Sequence, residues 1–210
     1  MNARDATYAT LKRRIVLNEL KPGDRITELG LAESLGCSQG AVREALLRLQ
    51  EDGLVIRAGH RGTTITPLDP EEADEIVAVR KRLETRGALR AAKAVTPEAI
   101  EALETLQGEM DQAARAGDEY RLIELDTEYH ATIFRLAGLR ALEQILKRCT
   151  LHSHRQKLWE PRHRRPLTQT AARHRIITEK LAAGDGEGLA EALAQHIDTI
   201  VEVSSERIAS

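Results

Sequence analysis

Two prolines within four residues, Pro67-Leu68-Asp69-Pro70, divide this chain of 210 residues into stretches of unlike pattern. Proline fixes φ, lacks a backbone donor and pushes the preceding residue out of helical backbone, so neither helix nor sheet runs through such a tetrapeptide. Before it lie short periodic runs punctuated by glycine. After it, apolar residues recur at helical spacing almost to the end. The pattern predicts two domains, residues 1–66 and 71–210, with 67–70 as the linker.

In the first stretch, Tyr8, Leu11 and Ile15 lie at helical spacing within residues 6–17, with Leu17 at the margin. Pro22-Gly23-Asp24 marks a turn. Thr27 is suited to cap a short helix carrying Leu29, Leu31, Ala32 and Leu35, which Gly36 ends. Ser38 is suited to cap a third helix, with Val42, Ala45, Leu46 and Leu49 as its buried stripe and Gly53 beyond its end. Leu54-Val55-Ile56-Arg57 and Thr63-Thr64-Ile65-Thr66 read as two strands around a turn at residues 58–62. Beyond the linker, helices are predicted over 70–94, 97–115, 118–137, 139–159, 168–183 and 186–207. The fold class is therefore mainly α. An N-terminal winged helix-turn-helix, with three helices and a two-stranded wing, precedes a C-terminal all-α antiparallel helical bundle.

Composition narrows the functions. Residues 1–66 hold ten Lys/Arg against eight Asp/Glu, a net of +2, and the remainder holds twenty-one against twenty-five, a net of −4. Aromatics at 2% argue against a base-stacking surface for single strands. No segment is long and apolar enough to span a bilayer, and Met1-Asn2-Ala3-Arg4-Asp5 does not open a secretory signal. Cys37 and Cys149 are far apart and suggest no disulfide framework, so a reducing cytoplasmic location is expected.

The third predicted helix is the candidate reader of double-stranded DNA. Gln39, Arg43 and Leu47 lie opposite its apolar stripe, which turns them outward. Arg43 can pair with guanine and Gln39 with adenine, each through two hydrogen bonds. Backbone N–H groups near Ser38 can hold a phosphate. Arg48 is a further candidate on that helix, and His60 and Arg61 sit at the wing tip.

These residues carry a resemblance. The run from Ile15 to Ile26, then Leu31-Ala32-Glu33-Ser34-Leu35-Gly36-Cys37-Ser38, Val42-Arg43-Glu44-Ala45-Leu46, Leu49, Gly53-Leu54-Val55 and Gly62 resemble the DNA-binding signature of the GntR family of regulators. Where that family usually carries Arg and then Thr-Pro after the serine, this chain has Gln39-Gly40-Ala41. The departure implies a different operator preference.

In the second stretch, Asp126 and His130 share a helix face with Leu122, Ile123, Ile133 and Phe134. His174 shares a face with Ile177 and Leu181, and His196 with Leu189, Ala192, Leu193 and Ile200. A carboxylate and three imidazoles on inner faces are costly unless paired or bound to something. A divalent metal satisfies all four, with zinc the first choice and nickel or manganese also suited. The bland alternative leaves each histidine a satisfied core residue. Arg80 and Glu84, four apart on an inner face, read as an i,i+4 ion pair. His152 and His154 lie near Arg155 and Trp159, where one of them can face a pocket, and His163 falls in a basic loop.

This stretch resembles the ligand-sensing domain of FadR-type GntR regulators, through Leu125-Asp126-x-x-Tyr129-His130-x-x-Ile133, His174-x-x-Ile177, Gly184-Asp185 and Gln195-His196-Ile197. The resemblance implies Asp126, His130, His174 and His196 as metal ligands, and Arg80 and Glu84 as residues lining an effector pocket. It implies a homodimeric regulator, repressor first, that binds a pseudo-palindromic operator and answers to a small carboxylate. No enzyme activity is expected. The rival readings are a metal-dependent hydrolase with a DNA-binding-like head, and a bundle that only makes protein contacts.

Overall fold

The computed structural model describes residues 3–58, 62–67, 69–159 and 165–200. It divides into two compact units, Met1–Pro70 and Glu71–Ser210.

The first unit runs α1 (Ala3–Val16), β1 (Arg25–Ile26), α2 (Glu28–Leu35), α3 (Gln39–Glu51), β2 (Val55–Arg57) and β3 (Thr63–Ile65). Both expected caps form: the Thr27 hydroxyl accepts from the Gly30 N–H at 3.1 Å, and Ser38 from the Ala41 N–H at 3.2 Å. Gly36 closes α2 with φ 63°, a left-handed conformation that costs a side chain far more than glycine. Leu11 and Ile15 of α1 and Val42, Leu46 and Leu49 of α3 are fully buried.

The wing differs from the expected hairpin. Its sheet has three antiparallel strands in the order β1-β3-β2, with Arg25 opposite Thr64 and Val55 opposite Ile65. A strand of two residues has no periodicity to read. Only its pairing with β3, about 40 residues later, defines it.

The second unit runs α4 (Pro70–Ala91), α5 (Pro97–Ala116), α6 (Glu119–Leu136), a 3₁₀ turn (Arg140–Leu142), α7 (Glu143–Trp159), α8 (Leu167–Ala172), α9 (Arg175–Ala182) and α10 (Gly186–Asp198). Its core joins Leu103 and Met110 of α5, Leu122 and Tyr129 of α6, Ile177 and Leu181 of α9, and Leu189 and Leu193 of α10.

Three boundaries depart from the periodicity: α10 ends at Asp198, short of the helix expected over 186–207, of which residues 201–207 lie outside the described residues. Residues 139–159 begin with the 3₁₀ turn before α7 starts. Residues 168–183 form two helices broken at Arg173-His174. At that break the Ala171 carbonyl accepts from the His174 N–H at 3.3 Å and from the His174 ring Nδ1 at 3.1 Å. A side chain thus takes the acceptor that a continuing helix would give to the next turn.

α4 and α6 lie side by side with their numbering increasing in the same direction. Arg80 faces Asp126, Glu84 faces His130, Gly87 touches Phe134, and Arg90 donates from Nε to the Ala137 carbonyl at 2.7 Å. A Cβ at Gly87 would lie 3.0 Å from the Phe134 ring, so glycine permits this approach. The register delivers Arg80 and Glu84 to the residues of α6 that the sequence marks for metal.

Candidate metal centre and DNA-reading face

On the first unit, α3 turns Gln39, Arg43 and Leu47 outward, as the stripe predicts. Ser38 spends its hydroxyl on the cap. Arg43 makes a two-pronged ion pair with Glu28 of α2, donating from Nη2 at 2.7 Å and from Nε at 3.0 Å. Glu28 also accepts from Arg57 of β2 at 3.1 Å. The hydrogen bonds from Arg43 hold the Glu28 carboxyl below its ordinary pKa, against a smaller effect of burial. Arg48 sits elsewhere. Its guanidinium lies 3.8 Å from the Tyr8 ring centre and pairs with Asp5 at 2.9 Å, which ties α3 to α1 and places Arg48 away from the Gln39–Arg43 stripe. His60 and Arg61 lie outside the described residues.

In the second unit, the structure brings Asp126 and His130 of α6, His174 at the α8–α9 break, and His196 of α10 together. All four are buried, and one ligand atom from each lies within 4.8 Å of the others. His174 Nε2 is 3.0 Å from Asp126 Oδ1, and His130 Nε2 is 3.3 Å from His196 Nε2. Ligand atoms bonded at about 2.0–2.2 Å to one cation lie roughly 3–4 Å from each other, so the separations suit a shared ion.

The proton positions support the same fit. A carbonyl only accepts, so His174 Nδ1 must carry the proton that bonds to Ala171. His130 Nδ1 lies 2.5 Å from Glu84 Oε2. Burial would raise the Glu84 pKa, but His130 and Arg80 outweigh it and hold Glu84 below its ordinary value, so Glu84 accepts from His130. In neutral rings, both Nε2 atoms are then lone pairs. One faces a carboxylate oxygen and the other faces a second imidazole. At Asp126 acceptor opposes acceptor, which a cation between them would relieve, whereas His196 Nε2 can donate to His130 Nε2. The Nδ1–H bonds to a carboxylate and a carbonyl are the outer contacts that orient metal-binding histidines.

His196 is held well below its ordinary pKa by burial and by His174 and His130 beside it, so it is neutral near pH 7. Burial opposes ionisation of Asp126, but His154 and His130 overcome it and hold the carboxyl well below its usual range. His154 is the residue given too little weight in the sequence. Its Nε2 lies 2.8 Å from Asp126 Oδ2, on the oxygen turned away from His174. Asp126 lies 28 residues earlier in the chain, so no local spacing marks the contact.

Arg80 is fully buried. Its Nε donates to Glu84 at 2.7 Å, and Nη2 lies 3.9 Å from Asp126 Oδ2. Neither Nη1 nor Nη2 has a hydrogen-bond partner. The pair seen in the sequence is therefore present, and half of its cation remains unspent. Among the described residues no helix is long and apolar enough to cross a membrane.

The chain matches two family models. Residues 3–65 match bacterial regulatory proteins of the gntR family, and residues 75–199 match the FCD domain. It is 29% identical over 189 residues to the HTH-type transcriptional regulator McbR of Escherichia coli (strain K12), spanning 88% of this chain and 85% of that relative. It is 31% identical over 191 residues to the Nta operon transcriptional regulator of Aminobacter aminovorans, spanning 87% of each. The solved structure of E. coli McbR/YncC superposes with a TM-score of 0.76 at 25% identity, covering 95% of both chains. The two matched segments, the shared length and the common fold together establish that this chain belongs to the GntR family, as a transcription regulator with a DNA-binding helix-turn-helix and a C-terminal FCD ligand-binding domain.

Proposed function

We propose that the protein is a homodimeric, cytoplasmic repressor whose grip on a pseudo-palindromic operator is released by a small carboxylate bound beside a divalent ion. The observation that carries this reading is the buried cluster of Asp126, His130, His174 and His196 next to the partly unpartnered guanidinium of Arg80. Without an ion, the charges of Asp126, Glu84 and Arg80 sum to −1. A divalent cation, zinc first and nickel or manganese after it, reverses that to +1 and supplies an electrophilic anchor for an anionic oxygen. Arg80 offers two parallel N–H donors from a fixed plane, which suits a carboxylate. The effector class is therefore a sugar acid, hydroxy acid or dicarboxylate. Release requires the effector to bind the DNA-free arrangement more tightly than the DNA-bound one. A hydrolase would leave the DNA-binding segment at residues 3–65 unexplained, so the reading favoured is a sensor.

The test starts from duplexes selected out of a random library by the native protein. A panel of those acids is then titrated, with and without metal, while DNA release is followed by fluorescence anisotropy. Release by at least one acid, dependent on metal, is expected. Release by none would leave the reading without support.

Two substitutions probe the reading face. Arg43→Ala should cost about 1–3 kcal/mol in operator binding and relax preference at one guanine. An unchanged selected site would remove Arg43 from base reading. Gln39→Arg should exchange an adenine preference for guanine or for a phosphate contact. The same library selection decides it, and identical sites from both proteins would show that Gln39 touches no base.

A further inference from the structure

The ion pair between Glu28 and Arg43 has a shape that matters for reading DNA. Guanidinium offers two bidentate edges. Glu28 occupies the side edge: Oε2 accepts from both Nε, at 3.0 Å, and Nη2, at 2.7 Å, while Oε1 lies 3.2 Å from Nε. The end edge, formed by Nη1 and the second N–H of Nη2, has no partner among the described residues. That edge is the one whose two parallel donors match O6 and N7 of guanine. Arg43 is largely exposed, with 61% of its side chain accessible, whereas the Glu28 side chain is 22% accessible. The carboxylate is thus the fixed partner and the guanidinium the presented one.

Glu28 is itself held from two sides. It is the first residue of α2, directly after the Thr27 cap, where a negative side chain is favoured by the helix N-terminus. Its Oε1 also accepts from Arg57 of β2 at 3.1 Å. One carboxylate therefore links α2, the reading helix α3 and the wing strand.

We infer that Glu28 is a positioning residue for DNA specificity, which holds Arg43 by its side edge so that the end edge is presented to a guanine. The inference rests on the reading of Arg43 as a base-contacting residue. The carboxylate has a second effect on the same surface. It cancels one positive charge that would otherwise attract any phosphate, so it lowers sequence-independent binding while sharpening the specific contact.

Both effects disappear together in Glu28→Ala, and they move two readouts in opposite directions. Discrimination between guanine and the other bases at the position read by Arg43 should fall at least about fivefold, the lower end of what one bidentate contact supplies. Affinity for a shuffled duplex of the same length should rise about fivefold at 0.15 M salt, and the slope of log K against log salt should steepen by about 0.9. Glu28→Gln, which keeps the shape and removes the charge, should raise shuffled-duplex affinity similarly and lose less discrimination, because its one carbonyl can still accept from Arg43.

The full-length protein, the native-selected duplex, its single-base variants and the shuffled duplex suffice for the measurement, with thermal melting as the control for folding. If Glu28→Ala weakens binding to both duplexes in parallel, Glu28 is only structural and the inference is overturned. Native discrimination in Glu28→Ala overturns it as well. Arg43→Ala separates the two levels. If Arg43→Ala keeps the native guanine preference, the reading of Arg43 itself fails. If it loses that preference while Glu28→Ala retains it, only the assignment of Glu28 fails.

Discussion

Removing divalent metal should lower the melting temperature of the second unit by about 5–10 °C. A ligand that binds only the native state stabilises it by RT ln(1 + [L]/Kd), about 2.7 kcal/mol when the ligand stands at a hundred times its Kd. A chain of this size shifts by roughly 2–4 °C for each kcal/mol. The effect should be large here because the four ligands come from three regions of the fold. Asp126 and His130 are on α6, His174 is at the α8–α9 break and His196 is on α10. One ion would tie the three regions together and relieve the opposed acceptors of His174 and Asp126. His174→Ala should abolish the response to added metal while leaving operator binding by the free protein within about twofold. Melting curves across zinc, nickel and manganese, with elemental analysis of untagged protein, provide the measurement. No bound metal and no shift with any of the three would return the histidines to core packing.

Arg80→Met should weaken the effector response about a hundredfold or more. Two charge-assisted hydrogen bonds at roughly 1.5 kcal/mol each amount to about 3 kcal/mol. Both terminal nitrogens of Arg80 are buried and make no hydrogen bond, so it has donors to give. Arg80→Lys keeps the charge but not the planar fork, and should recover only part of the loss. Removing the cation also leaves Glu84 with His130 as its remaining partner. Breaking a buried pair in this way costs about 3–5 kcal/mol, so a fall in stability is expected alongside. The lysine variant separates the two effects, because it should restore stability more fully than effector response. The readout is the concentration of the releasing acid at which half of the DNA is freed. Unchanged release by Arg80→Met would place the effector elsewhere.

The three helices of the first unit and the outward stripe of Gln39, Arg43 and Leu47 were legible because each is a local pattern. A 3.6-residue period shows which face is apolar. Thr27 and Ser38 cap the helices that follow them through bonds spanning three residues. The candidate ligands were legible for a related reason, since a charged or imidazole side chain on an apolar helix face is out of place wherever that face packs.

Tertiary structure decided what distance in sequence conceals. β1 exists only because β3 pairs with it. Arg48 is drawn to Asp5 and Tyr8 on α1, although its position on α3 gives no hint of either partner. The helix expected over 168–183 breaks because the His174 ring captures a carbonyl, a competition that periodicity does not register. His154 acquires its meaning from an oxygen 28 residues earlier in the chain, and Arg43 from a carboxylate 15 residues before it. The sequence by itself determined which residues seek burial and which helices carry them. The packing of one helix against another decided which polar groups meet, because hydrogen bonds and ion pairs depend on separations of about 3 Å that no spacing along the chain can specify.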